Sequence, residues 1–233
     1  MGRNRNLSAI GRAGITGGVF VIKCDEQTLE QHFPTPVMTL QYSGTDALNR
    51  DISEFIDTLT RELEPDHKNQ APLAENTTQG GYQTMPSLNV LHLPDPSMQQ
   101  LKAEIVLPAI EHYLDQVLKV DPFFTPIEIH SWAVSLGPGD WQAPHLHPKE
   151  YTLMSGIYYV SIPTSPHPEG TLEFINPNPV SVSLGQQDAT RNYRPKDSTV
   201  VLFPPYYMHY VHPIRAEGKR RIIAFDVRLA PNT

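Results

Sequence analysis

The segment Ile127–Leu136, with the sequence IEIHSWAVSL, marks the change from a helical to a strand-like pattern along the chain. Its residues alternate between two sets that would project to opposite faces of a β-strand. Short segments of the same kind follow, separated by turns of Gly, Pro, Asn and Asp. They are Met154–Ile162, Thr171–Ile175, Thr199–Phe203, Met208–Val211 and Arg221–Leu229. The C-terminal half is therefore predicted to be built from β-strands.

Toward the N-terminus, two segments have the periodicity of amphipathic helices. Apolar side chains recur at three- and four-residue steps over residues 46–63 and again over residues 97–118, where Pro108 is expected to kink the helix or end its first half. Helices followed by strands indicate an α+β, mainly β fold, in which N-terminal helices brace a β-sandwich or barrel.

No linker divides the chain, so we expect one domain over residues 31–233 after a loosely ordered lead-in at residues 1–30. Within this domain, Phe33–Val37 is expected to begin an edge strand, because proline is tolerated at the edge of a sheet. The polar residues 65–86 are predicted to form a long loop, and loops of this length are often functional or mobile.

Composition excludes several classes of protein. The 233-residue chain has a net charge of −7 and no basic run, so a nucleic-acid partner is not expected. One cysteine, Cys24, excludes an internal disulfide framework and a cysteine-based metal cluster. No apolar stretch approaches the roughly 20 residues that cross a bilayer, and the N-terminus lacks the apolar core of a secretory signal. We therefore expect a cytoplasmic protein with no membrane partner.

Histidines at two places in the strand region suggest a metal site. His145 and His147 lie two residues apart between prolines, and on an extended strand they would project to the same face. Farther along, an apolar strand ends in a proline turn, and His209 opens the next strand, from which His212 is expected to point the opposite way. An H-x-H pair is a weak signal by itself, so the alternative of packed core histidines stays open.

An arginine on the last predicted strand is the next candidate. By alternation Arg221 shares a face with Ile223, Phe225 and Val227, so it is predicted to lie on the apolar, inward face. A buried guanidinium without a partner costs several kcal/mol, and it therefore needs an anion beside it. That anion is either a protein carboxylate or a ligand carboxylate held by the two-pronged guanidinium.

Taken together, these segments resemble the 2-oxoglutarate/Fe(II)-dependent oxygenases, in particular the prolyl-hydroxylase-like branch and the group described as putative 2OG-Fe(II) oxygenases. The resemblance extends over residues 33–229. It rests on F-P-T-P at 33–36, G-G-Y-Q-T at 80–84, H-x-H-P at 145–148, S-G-x-Y-Y at 155–159, F-P at 203–204, H-x-V-x-P at 209–213, and Arg221–Phe225 compared with the pattern R-x-x-x-[AS]-F.

The resemblance implies a double-stranded β-helix, a barrel of two facing sheets with iron at one mouth. It implies that His145 and His209 bind Fe(II). It also implies that Arg221 binds the distal carboxylate of 2-oxoglutarate and that Tyr159 hydrogen-bonds the same carboxylate.

The sequence departs from the wider family at the remaining metal ligand. Most of these enzymes have Asp or Glu where this chain has His147. A triad of three histidines is our first interpretation, and a carboxylate from Glu150 or, less favoured, from Asp140 is the alternative. Asp226 stands where the narrower group commonly has Asn.

The function implied by the resemblance is a dioxygenase that uses Fe(II) and the cosubstrate 2-oxoglutarate to hydroxylate an unidentified small molecule or peptide with O₂. Two alternatives use the same barrel. One is a cupin-like metalloenzyme that does not use 2-oxoglutarate and needs no inward arginine. The other is a non-enzymatic binding module. Pairing of edge strands into a homodimer also stays open.

Overall fold

The computed structural model describes residues 35–63, 77–147, 150–178, 185 and 188–230. From Thr35 onward the chain forms one compact unit. The predicted lead-in at residues 1–30, the start of the predicted edge strand at Phe33 and most of the predicted polar loop lie outside the described residues. The single domain over residues 31–233 stays a prediction.

Two helical regions precede the main strands. Helix α1 spans Asp46–Leu63, as its periodicity predicts. The second region is continuous from Pro96 to Leu118 and contains α2 (Pro96–Leu101) and α3 (Leu107–Tyr113), each followed by a short π-helical segment. Pro108 does not end this region, because it lies in the first turn of α3 directly after a π segment, where the hydrogen-bond pattern is already shifted.

Eleven strands in the described residues form two antiparallel sheets. The larger sheet has the order β1-β9-β6-β11-β4-β3, and the smaller has the order β2-β5-β10-β7-β8. The strands are β1 (Met38–Gln41), β2 (Thr78–Gln79), β3 (Tyr82–Gln83), β4 (Ile127–Leu136), β5 (Trp141–His145), β6 (Thr152–Ser161), β7 (Leu172–Ile175), β8 (Thr190–Tyr193), β9 (Thr199–Phe203), β10 (His209–Val211) and β11 (Arg220–Leu229).

This arrangement confirms the predicted α+β, mainly β fold, a double-stranded β-helix braced by N-terminal helices. The predicted strands correspond to β4, β6, β7, β9, β10 and β11. The edge strand β1 begins at Met38, directly after the prolines, and pairs on one side with β9. The strands β2, β3 and β8 were not predicted. The first two have two residues each and lie within residues 65–86, which were predicted to form a loop.

The long strands of the larger sheet are apolar on both faces. One face packs under the helices, and its core includes Ile223 and Phe225 of β11. The other face packs against the smaller sheet, and its core includes Ile222 and Ala224 of the same strand. An apolar side chain on β11 can therefore belong to either of two cores. None of the described helices combines the length and the apolar character that a membrane span requires.

Gly156 on β6 allows the helix-facing core to close over the sheet. A Cβ atom at this position would lie 2.3 Å from ring atoms of Phe225 and 2.8 Å from Cδ2 of Leu202. We expect Gly156→Ala to lower the free energy of unfolding by about 1–3 kcal/mol, because added volume in a packed core forces neighbouring side chains to move. Urea denaturation measures this change.

The matched control is Gly137→Ala. A Cβ atom there would have Oδ2 of Asp140 as its nearest neighbour, at 3.6 Å. We expect this control to change the unfolding free energy by less than about 0.5 kcal/mol. Equal effects of the two substitutions would contradict the packing explanation.

Candidate metal centre

Three histidines converge at one end of the space between the two sheets. One ring nitrogen from each of His145, His147 and His209 lies within 4.8 Å of the other two. The ring centroids of His145 and His209 are 4.3 Å apart, and that of His147 is 5.3 Å from the first and 5.4 Å from the second. In the part of the chain that the structure describes, this is the one group of His, Cys, Asp and Glu side chains with the spacing of a metal site.

Strand pairing brings two of these histidines together, and a loop brings the third. His145 ends β5 and lies directly opposite His209, the first residue of β10. His147 lies beyond the end of β5, so strand alternation does not determine the direction of its side chain. Its backbone N–H donates a hydrogen bond to the carbonyl of Pro205 at 2.7 Å, which holds it beside the other two. His212 points away from the centre, as expected, and its Nε2 is 3.3 Å from Glu173.

Each histidine uses its Nδ1 atom in a hydrogen bond within the protein. Nδ1 of His145 is 2.7 Å from the carbonyl oxygen of Ala143, and Nδ1 of His209 is 2.9 Å from that of Tyr207. Nδ1 of His147 is 3.4 Å from its hydrogen-bond acceptor, Oδ2 of Asp226, and 3.1 Å from Oδ1 of the same carboxylate. These acceptors place a proton on each Nδ1, so in the neutral form of each ring the lone pair lies on Nε2, where a metal ion can bind.

The protein environment favours the neutral form of the buried histidines. Burial lowers the pKa of His145 to about 4. Burial also lowers the pKa of His209 well below its usual value, and the neighbouring His145 and His147 lower it further. A metal ion binds the neutral imidazole, so these two residues are in the binding form at neutral pH.

The two carboxylates considered as alternative ligands do not belong to this group. Glu150 is exposed. The carboxylate of Asp140 accepts a hydrogen bond from the backbone N–H of Gly137 at 2.8 Å and thereby closes the turn before β5. The geometry therefore favours three histidines as the donor set.

A second polar cluster lies between the sheets and consists of Arg220 and Tyr159. Arg220 is fully buried, and none of its three guanidinium nitrogens has a hydrogen-bond partner among the described residues. The hydroxyl of Tyr159, also fully buried, has none either. The guanidinium carbon lies 5.2 Å from the centroid of the Tyr159 ring. Burial raises the pKa of Tyr159 to about 12 and lowers the pKa of Arg220 from its usual value.

The cluster of Arg220 and Tyr159 has the properties of an anion-binding site. A buried guanidinium without a partner is strongly unfavourable, and a carboxylate is the group whose geometry matches its paired N–H donors. The hydroxyl of Tyr159 offers a further donor to the same group. Arg220 and Tyr159 therefore fit a carboxylate that enters between the sheets.

The prediction that Arg221 lies on the inward face is wrong. Its Nη2 is 2.7 Å and its Nε 3.1 Å from the two carboxylate oxygens of Asp57 on α1, so it lies under the helices. Alternation had grouped Arg221 with Ile223 and Phe225, but these residues belong to the helix-facing core. The anion beside Arg221 is therefore a protein carboxylate, which is one of the two alternatives left open above.

A signal for Arg220 was present in the sequence. The pattern R-x-x-x-[AS]-F fits Arg220 with Ala224 and Phe225, because three residues separate the arginine from the alanine. Only two residues separate Arg221 from Ala224, so Arg221 does not fit the pattern. The three-residue interval in this pattern therefore identifies Arg220, the arginine on the inter-sheet face, rather than Arg221.

Three further residues around the histidines were not predicted to act there. The Trp132 ring stacks on that of His147, with centroids 5.8 Å apart and planes inclined by 23°. Ser155 donates a hydrogen bond from Oγ to Asp226 at 2.7 Å, and Asp226 in turn contacts His147. No motif distinguishes Trp132 from an ordinary core residue, whereas the position of Asp226 was noted without a role.

A small cavity lies beside the three histidines between the sheets. Gln142 lines this cavity, and its Nε2 donates a hydrogen bond to Oγ1 of Thr78 at 3.0 Å. The neighbouring Trp141 is half-buried and is not among the lining residues. Around the three histidines the lining is largely apolar and includes Ile157, Leu172, Phe203, Ile222 and Ala224.

Sequence comparison confirms the resemblance for the region that contains this site. Residues 130–226 match the model of the family described as "Putative 2OG-Fe(II) oxygenase". The matched region includes the three histidines, Tyr159, Arg220 and Asp226. No curated protein matches the sequence.

Solved structures confirm the fold. A prolyl-4-hydroxylase from Pseudomonas putida is similar over 83% of this chain and 92% of its own, with 15% identity and a TM-score of 0.57. A prolyl hydroxylase from Trichoplax adhaerens, solved with a peptide fragment of hypoxia inducible factor, covers 82% and 83% at 12% identity and a TM-score of 0.59. HygX from Streptomyces hygroscopicus, solved with nickel and 2-oxoglutarate, covers 85% of each chain at 13% identity and a TM-score of 0.55.

Proposed function

We propose that this protein is an Fe(II)- and 2-oxoglutarate-dependent dioxygenase that hydroxylates a small molecule or a peptide. The observation that carries the proposal is the fully buried Arg220 beside Tyr159, with no hydrogen-bond partner among the described residues. The inter-sheet core to which Tyr159 belongs also supplies the apolar lining of the cavity at the three histidines. A metal site alone is compatible with several kinds of protein. A metal site together with a buried cation that lacks an anion matches a cosubstrate with a carboxylate at each end, because the buried cation needs an anionic partner.

In this proposal His145, His147 and His209 bind Fe(II) through Nε2. Arg220 and Tyr159 bind the distal carboxylate of 2-oxoglutarate, so the role first assigned to Arg221 passes to Arg220. Bound Fe(II) and 2-oxoglutarate supply the oxidative chemistry, in which 2-oxoglutarate decarboxylates to succinate while O₂ supplies the hydroxyl oxygen of the product.

The remaining residues position these groups and exclude water. Ile222 and Ala224 lie on the face of β11 between Arg220 and Asp226, so one strand connects the carboxylate pocket to the metal centre. Apolar side chains around the histidines keep this space dry, which strengthens the interaction of Arg220 with a carboxylate. The cupin-like alternative offers no explanation for the unpaired arginine.

Anaerobic titration of the Fe(II)-loaded protein with 2-oxoglutarate tests the proposal. We expect a visible metal-to-ligand charge-transfer band that grows and saturates with one equivalent bound. Iron binding without such a band would support a cupin-like metalloenzyme that does not use 2-oxoglutarate. Absence of iron binding would support a non-enzymatic binding module.

A further inference from the structure

We propose that Asp226 is a positioning residue of the metal centre, which orients His147 and supplies through it the negative charge that three neutral histidines lack. This inference rests on the proposed function, because it concerns the same metal site. It assigns a role to a buried carboxylate that does not bind the metal in the proposed arrangement.

The carboxylate of Asp226 is buried and held in a defined direction. Asp226 is 1% exposed and lies on β11 opposite His130 of β4 and Ser155 of β6. The hydroxyl of Ser155 donates to its Oδ1 at 2.7 Å. Nδ1 of His147 is 3.1 Å from Oδ1 and 3.4 Å from Oδ2, so the ring nitrogen faces both carboxylate oxygens.

His147 needs such a partner more than the other two histidines do. It lies outside a strand, and its ring stacks with those of Trp132 and His209, the latter inclined to it by only 3°. Stacking restricts the plane of the ring but does not determine which nitrogen points to the metal. A carboxylate at Nδ1 accepts the proton there and leaves the lone pair on Nε2.

The partner of His147 also differs in charge from those of His145 and His209. Those two rings donate to the neutral backbone carbonyls of Ala143 and Tyr207. An ionised carboxylate makes the imidazole a stronger donor to the metal, and its loss typically lowers metal affinity 10- to 100-fold. Because Asp226 acts through His147, it reduces the positive charge of the centre without taking a coordination position from the cosubstrate or O₂.

Zn(II) is a redox-inert probe of this centre, and its affinity can be measured by competition with a chelator. We expect Asp226→Asn to weaken Zn(II) binding by about 10- to 100-fold, since the amide oxygen can still accept from Nδ1 but carries no charge. The matched control is Ser155→Ala, which removes a hydrogen bond to Asp226 and keeps the carboxylate. We expect it to change the affinity by less than about threefold. Equal affinities of wild type and Asp226→Asn would overturn the inference.

Proton NMR of the Zn(II)-bound wild type provides a second test that does not depend on a variant that folds. Three Nδ1–H signals are expected. The signal of His147 should lie at lower field than the other two, because its acceptor is a carboxylate rather than a carbonyl. In Asp226→Asn this signal alone should move upfield. Three similar signals in the wild type would overturn the inference.

These outcomes are distinguishable from failure of the proposed function. If wild type binds Zn(II) through three histidines and Asp226→Asn binds it equally well, the proposed oxygenase site stands and Asp226 has no role in it. If wild type binds no divalent metal, the proposed function and this inference both fail.

Discussion

The Arg220→Met variant is expected to bind Fe(II) but to lose 2-oxoglutarate binding by about 100-fold or more. Methionine fills much of the buried volume and removes every donor of the guanidinium. Loss of one partner of a buried charge pair costs roughly 3–5 kcal/mol, which corresponds to a change of this size in the dissociation constant. Anaerobic titration of the charge-transfer band measures both the metal site and the cosubstrate affinity.

The stability of the metal-free Arg220→Met protein should not fall, and it should rise if the guanidinium is unpaired in solution. In the structure no described residue accepts a hydrogen bond from this group. Replacement of a buried, uncompensated cation by an apolar side chain of similar volume is therefore neutral or stabilising. This result would separate a ligand-binding arginine from a structural one, whose removal destabilises the fold.

Arg221→Met is the matched control on the same strand. It removes the ion pair with Asp57 under α1 and leaves the inter-sheet space unchanged. We expect 2-oxoglutarate affinity within about twofold of wild type, together with a modest loss of stability, since partly exposed ion pairs contribute up to about 1 kcal/mol. A loss of binding in this variant, with normal binding in Arg220→Met, would reverse the assignment of the two arginines.

His209→Gln is expected to lower divalent metal affinity by more than about 100-fold. His209 is 3% exposed and offers a neutral imidazole, so its replacement removes a ligand rather than a partner of a ligand. Glutamine retains part of the side-chain volume between Phe174 and Phe203, whose rings pack against His209. Calorimetric titration with Co(II) measures the affinity, and thermal unfolding of the metal-free variant shows whether the fold is retained.

Glu150→Gln tests the alternative donor set by the same measurement. Glu150 is exposed and lies outside the histidine group, so we expect Co(II) affinity within about twofold of wild type. A loss comparable to that of His209→Gln would show that a carboxylate completes the triad. In that case His147 would not be the third ligand.

Local patterns were sufficient for much of the fold. The apolar stripe of α1 and the alternation within β4 are properties of consecutive residues, so each element can be found without knowledge of its neighbours. The same is true of the order of helices and strands, from which the braced barrel follows. The H-x-H pair and the later His209 were found because prolines and strand ends marked them in the chain.

Local patterns gave a wrong prediction where the answer depended on which layer of the structure covers each face of a strand. The strand β11 is buried on both faces, and alternation separates its two sets of residues without stating which set faces the other sheet. The choice of Arg221 over Arg220 followed from that ambiguity. Likewise, His147 joins the group because of a hydrogen bond to Pro205, which is distant in sequence. Strand alternation predicted that the His147 side chain lies beside that of His145, which agrees with the structure. Alternation does not explain this position, however, because His147 lies beyond the end of β5.

The sequence by itself determined the class of fold, the resemblance to the 2-oxoglutarate oxygenases and the three histidines that were expected to bind metal. These conclusions depend on short-range periodicity and on motifs whose residues are close in the chain. Only the tertiary structure decided that Arg220 is the unpaired cation between the sheets and that Asp226 lies against His147. Both decisions require knowledge of which layer covers each face of β11, and that is set by packing between segments far apart in the chain.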